Sequence, residues 1–222
     1  MPSNEKQDIH QKALSLNLDT TIFGSFAEIG AGQEVARWFL RVGGASGTVA
    51  KTISAYDKQI SDHLYGTATR YVSKSRLQVM LDSEWDQLMG QLLVSRGAGT
   101  RFFSFVDTVS ARNYLGTNDC HGWVGLRFIR EPGATSNDVI LHVNLRDPTN
   151  MLQQEAVGIL GVNLIYAAYH ALASAEEFLT RLFEDLGLHR LEIDCVELSG
   201  PCFELWDRHE IHVFLVSRYR RE

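Results

Sequence analysis

No two cysteines in this chain form a C-x-x-C pair, and its 222 residues hold only three, Cys120, Cys195 and Cys202. An odd, scattered set excludes the disulfide framework of a small secreted domain. It equally excludes the two spaced pairs of a structural zinc site. Reduced thiols in a cytoplasmic protein are therefore expected, and no metal site is. Positive charge is also scarce, since 21 Lys and Arg stand against 27 Asp and Glu, a formal charge of −6. Such a field repels phosphate backbones, which excludes a general nucleic-acid binder. The opening MPSNEKQDIHQK lacks the apolar run of a secretory signal. One stretch, AVGILGVNLIYAAYHALA at 156–173, approaches the length of a membrane span, but it contains Asn163 and His170, which are costly in lipid. Its small residues suit close packing, so it reads as a buried central helix.

What is present is a patterned, ordinary globular composition, 45% apolar and 22% charged. Residues 1–18 are polar and aperiodic and read as a flexible arm. TTIFGSFAEI (20–29) mixes β-branched and aromatic residues as a strand does. Val35, Trp38, Phe39 and Val42 follow at helical spacing. A helix is expected over about 76–94 with Ser75 as its cap, and another from Asp147-Pro148 to about Leu172. RFFSFVDTV (101–109) is a strand. WVGLRFI and NDVILHVNL flank a Pro-Gly turn as a hairpin. RLEIDCVEL (190–198) and EIHVFLVS (210–217) read as strands. The expected fold is α+β or mixed-sheet α/β: one domain over 19–222 with at least one β-hairpin and three to four helices. The charged ending SRYRRE, directly after an apolar segment, fits either a truncated chain or a natural basic tail.

Three constellations carry possible chemistry. In GSFAEIGAGQEV, strand, Gly-x-Gly and helix follow in the order that presents backbone N–H groups to an anion. The third glycine of the dinucleotide fingerprint is missing. GGASGTVAKT is similar to a P-loop, but Ala50 stands where glycine should precede Lys51, which argues against Walker-type hydrolysis. A phosphate or carboxylate cradle would use Gly30, Gly32, Gly44, Ser46, Gly47 and Lys51; the alternative is turn glycines and a solvated lysine. The second constellation is Asp107, Arg112, Asn118, Asp119, Cys120 and His121, at a strand end and in the loop after it. There His121, Asp119 and Asp107 are candidates for proton transfer, because imidazole titrates near neutrality. The third is HVNLRDP (142–148), where alternation puts His142, Asn144 and Arg146 on one face and Arg146 could clamp an anion.

The blocks FAEIGAGQEVARWFLRVGGASGTVAKTISAYD, FVDTVSARNYLGTNDCHGWVGLRF and NLRDPTNMLQQEAVGILGVNLIYAAYH resemble a bacterial family of longer proteins. That family goes under the labels nicotinate-nucleotide adenylyltransferase and TonB-dependent receptor, and the resemblance spans roughly residues 20–200. It implies nucleotidyl transfer and makes this chain the N-terminal portion of a longer protein. The H-x-G-H motif of such transferases is absent; the nearest fragment is Cys120-His121-Gly122-Trp123, so no catalytic residue carries over. Two readings remain. One is a protein that binds a nucleotide or phosphorylated metabolite at the glycine loops, with the cofactor unspecified. The other is a non-catalytic, homo-oligomeric assembly module.

Overall fold

The computed structural model describes residues 7–219. The order of elements is α1 (Ile9–Leu18), β1 (Ile22–Gly30), α2 (Gln33–Arg41), β2 (Val49–Ser54), α3 (Lys58–Tyr65), α4 (Lys74–Arg96), β3 (Arg101–Ser110), β4 (His121–Phe128), β5 (Asn137–Leu145), α5 (Asn150–His170), α6 (Ala175–Leu182), β6 (Leu191–Ser199) and α7 (Arg208–Tyr219). The six strands form one mixed sheet ordered β2-β1-β3-β4-β5-β6. β2, β1 and β3 are parallel, and from β3 onward each neighbour is antiparallel. This is an α/β fold. Seven α-helices stand among the described residues, where three to four were expected.

Side-chain alternation sorts the sheet into two apolar faces. Phe26, Phe103, Phe105, Leu126, Val139 and Leu141 pack on α1, α2, α5 and α6. Phe23, Ala27, Phe102 and Val106 point the other way, toward α3 and α4. Covered on both sides, β1 and β3 are buried along almost their whole length. α5 is the central helix the apolar run suggested, buried around most of its circumference. A Cβ at its Gly161 would stand 2.4 Å from Val35 Cγ2, so glycine there sets how closely α2 approaches. No helix among the described residues is long and apolar enough to cross a membrane.

Three local readings are corrected. Residues 9–18 are helical instead of a loose arm; residues 1–6 of that arm lie outside the described residues. Asp8 and Gln11 form a capping box at the start of α1, and Ala13 and Leu16 are fully buried. Lys12 is buried too, its Nζ 2.7 Å from Asn163 Oδ1 and 2.5 Å from Glu184 Oε2, an ion pair that clamps α1 to α5 and to the turn after α6. Burial lowers the Lys12 pKa despite the Glu184 hydrogen bond. That polar anchor, hidden in an otherwise hydrophilic stretch, is why apolar periodicity missed the helix. EIHVFLVS is helical as part of α7. Ile211, Phe214 and Leu215 fit the i, i+3, i+4 spacing of a helix, while Ile211, Val213 and Leu215 alternate as a strand would, and Phe214 stacks on Phe183 at 6.3 Å. Finally, the caps of α4 and α5 are Ser73 and Thr149, since Asp147 is held by Arg190 at 2.9 Å.

Candidate functional site

β1 leaves the sheet through α2 toward β2 on one side, while β3 hands the chain to β4 on the other. Where connections diverge in this way, a crevice opens outside the carboxyl ends of the two strands. Here it measures about 440 Å³. One wall is the β1–α2 turn with Gly30, Ala31 and Gln33, and the other is the segment after β3 with Arg112, Asn113 and Asn118. Tyr56 stands at its mouth, 78% exposed. Among the described residues, the one lining side chain charged at neutral pH is Arg112, and no carboxylate lines the crevice. The backbone of Arg112 is fixed from α5: its amide donates to Gln153 Oε1 at 2.7 Å and its carbonyl accepts from Asn150 Nδ2 at 2.8 Å.

The turn itself depends on glycine. Gly30 has φ +101°, and a Cβ there would stand 2.0 Å from the Val109 carbonyl oxygen. Gln33 Nε2 closes the turn by donating to the Gly30 carbonyl at 2.7 Å and to Ser54 Oγ at 3.1 Å. The amide of Ala31 donates to Val109 O at 3.1 Å, so it serves the fold instead of a ligand. Gly32 opens α2 with no side chain capping it.

Beneath this turn lie two acids. Glu28 and Asp107 face each other across β1 and β3, 5% and 0% exposed. Burial pushes the Glu28 carboxyl up to about 7. Burial, and then the charge of Glu28, push Asp107 well above the usual carboxylate range. Neither Asp107 oxygen has a hydrogen-bond partner. Glu28 was not picked out from sequence, although a carboxylate inside the apolar run IFGSFAEI was the available signal.

A second polar cluster occupies the same end of the sheet on the face that carries α4. His121 Nδ1 lies 3.1 Å from His142 Nε2, and His142 Nδ1 lies 2.6 Å from Asp194 Oδ1. Asn144 Nδ2 donates to Asp194 Oδ2 at 2.8 Å, and Trp123 packs on His142 with ring centroids 4.7 Å apart. Burial works to raise the Asp194 pKa, but the His142 and Asn144 hydrogen bonds hold it below the ordinary value. The expected common face of His142, Asn144 and Arg146 thus acquires a partner, Asp194, that no local pattern pointed to.

The remaining candidates do not converge on the crevice. Gly44, Ser46 and Gly47 belong to a tight turn at the start of β2, packed on Asn17 at the opposite end of the sheet. Lys51 points to α4, 2.9 Å from Glu84 Oε2 and 2.8 Å from Gln87 Oε1. Arg146, just past the end of β5, pairs with Glu192 on the edge strand β6. Asp119 is exposed in the loop before β4.

No family model and no curated protein matches this sequence. Solved structures do. A competence/damage-inducible protein from Agrobacterium tumefaciens superposes with a TM-score of 0.50 at 18% identity, covering 75% of this chain and 98% of that one. A competence-damaged protein (CinA) superfamily member from Enterobacter cloacae gives 0.46 at 14% identity over 75% and 98%. Another from Escherichia coli gives 0.42 at 13% over 82% and 94%. The architecture is therefore similar to that of the Agrobacterium protein, and the likeness is one of fold. The expected resemblance to proteins labelled nicotinate-nucleotide adenylyltransferase or TonB-dependent receptor is corrected, since the fold is similar to that of the Agrobacterium competence/damage-inducible protein instead.

Proposed function

We propose that the protein binds a small phosphorylated metabolite, a nucleotide included, in the crevice between β1 and β3. The observation that carries this reading is charge. In a chain with a formal charge of −6, this crevice is lined by one guanidinium and no carboxylate. Arg112 supplies the fork that phosphate geometry favours, and the first turn of α2 adds the positive end of a helix dipole. The carboxamides of Gln33, Asn113, Asn118 and Asn150 make the rest of the wall polar and uncharged, and their hydrogen bonds within the protein hold the two sides of the crevice in place. Tyr56 offers a ring face to a base or other flat group. The volume is of the size that small-molecule sites occupy. A larger groove of about 780 Å³ between β6 and α7 carries Asp194, Glu197 and Glu204 against Arg208, a poor match for an anion.

Thermal stability followed during titration with nucleoside mono-, di- and triphosphates and sugar phosphates tests the reading. A ligand at a hundred times its Kd adds about 2.7 kcal/mol. Stabilisation should vanish for the dephosphorylated compound and for Arg112→Ala. Equal stabilisation by a nucleoside and its phosphate, or none by any phosphate, overturns it.

A further inference from the structure

The hydrogen-bonded chain on β4, β5 and β6 fixes where its protons sit. Ionised Asp194 has only acceptors, so His142 must carry its proton on Nδ1. In the neutral ring that leaves Nε2 of His142 as an acceptor. His121 must then donate from Nδ1, and its own Nε2 keeps a lone pair. Asn144 locks the other Asp194 oxygen, and Trp123 packs against the middle ring. The neighbouring charges on this face are already paired, Arg146 with Glu192 and Lys74 with Glu197. His121 is half-buried and stands directly opposite Ser110 on β3, and Ser110 lines the crevice. Cross-strand partners have Cβ atoms about 5 Å apart.

We propose that Asp194, His142 and His121 form a proton relay whose working end, Nε2 of His121, takes a proton from an O–H group at the crevice. The O–H group is a hydroxyl of the ligand or a water beside it. The O–H bond breaks, an N–H bond forms at Nε2, and the electron pair stays on the oxygen, which becomes the nucleophile. The imidazolium so formed can pass its Nδ1 proton toward His142, and the negative charge of Asp194 stabilises it from the far end. His142 and Asp194 are positioning residues; His121 meets the substrate. The place of the reaction rests on the crevice being the ligand site, whereas the relay stands on its own geometry.

Long-range nitrogen–proton correlation spectra of the histidine rings, recorded on the full chain with the imidazoles neutral, test the relay. His121 and His142 should both appear as Nδ1–H tautomers. In Asp194→Asn, with the side-chain oxygen still receiving Asn144, the new amide donates to His142 Nδ1, and both rings should switch to Nε2–H. Acylation of His121 by diethyl pyrocarbonate, read by peptide mapping, should slow about tenfold in the same variant. An Nε2–H tautomer at His121 in the unaltered protein overturns the proposal without need of any variant. Unchanged tautomers in Asp194→Asn overturn it too. Arg112→Ala should leave both tautomers in place, so a failed relay and a failed ligand site read separately.

Discussion

Glu28 and Asp107 sit in register on adjacent parallel strands, both buried beneath the first turn of α2, with neither Asp107 oxygen hydrogen-bonded. Two carboxylates held this closely out of water cannot both ionise cheaply, so the pair retains protons that the unfolded chain would release.

The consequence is a pH dependence opposite to that of most acidic side chains. The Glu28 carboxyl moves from its ordinary 4.5 up to about 7 on folding. An acid with a raised folded-state pKa stabilises fully below its unfolded value and loses that contribution as pH rises through the folded one. The window therefore runs from about pH 4.5 to pH 7, and the shift corresponds to about 3 kcal/mol. Urea unfolding of the unaltered protein and of Glu28→Gln at several pH values reads it. Relative to the unaltered protein, Glu28→Gln should gain about 3 kcal/mol between pH 4.5 and pH 8. Asp19 and Asp194, whose pKa values are held low, act in the reverse sense but cancel in the difference. Parallel curves would exclude a proton-retaining pair.

The same pair explains why α2 begins with glycine. A Cβ on Gly32 would stand 1.6 Å from Asp107 Oδ2 and 2.3 Å from its Cγ, which no side-chain adjustment of tenths of an ångström relieves. Gly32→Ala should cost about 1–3 kcal/mol or more, as overpacking does. It should also abolish stabilisation by phosphorylated ligands, because the helix start must move away from the crevice wall. Asp107→Ala removes the obstacle, so the double variant should be more stable than the two single effects added predict, by about 0.5–3 kcal/mol. Additive effects in a double-mutant cycle would mean that the two residues do not meet.

Much of this arrangement was legible in the sequence, and the failures have distinct causes. β1, α2, β3 and the β4–β5 hairpin follow from periodicity and turn chemistry, and α5 from its long apolar run. α1 escaped because its anchor is the buried Lys12–Glu184 pair, which looks like solvated charge in one dimension. The last apolar segment satisfied two periods at once, and packing of Phe214 on Phe183 decided for the helix. Of the candidate site residues, Gly30 lines the crevice, Gly32 and Asp107 meet in the buried layer behind the β1–α2 turn without lining it, and His121 stands opposite the crevice residue Ser110. The second glycine cluster went to the opposite end of the sheet, because β2 runs parallel to β1 and must start where β1 starts. Asp194 and Glu28 owe their roles to register between strands, information that no single segment holds.

Lys51 marks the difference between a phosphate lysine and a structural one. Its ammonium neutralises Glu84, whose side chain is 2% exposed and also accepts from the Tyr65 hydroxyl at 2.8 Å. Lys51→Ala strands that carboxylate in the layer between β2 and α4, at a cost of about 1–3 kcal/mol. Glu84→Gln added to Lys51→Ala should recover part of the loss, since the stranded charge is gone. Thermal shifts caused by a phosphorylated ligand should be the same in Lys51→Ala as in the unaltered protein once baseline stability is subtracted. A selective loss of ligand response would instead return Lys51 to the binding site and require β2 to turn its side chain away from α4.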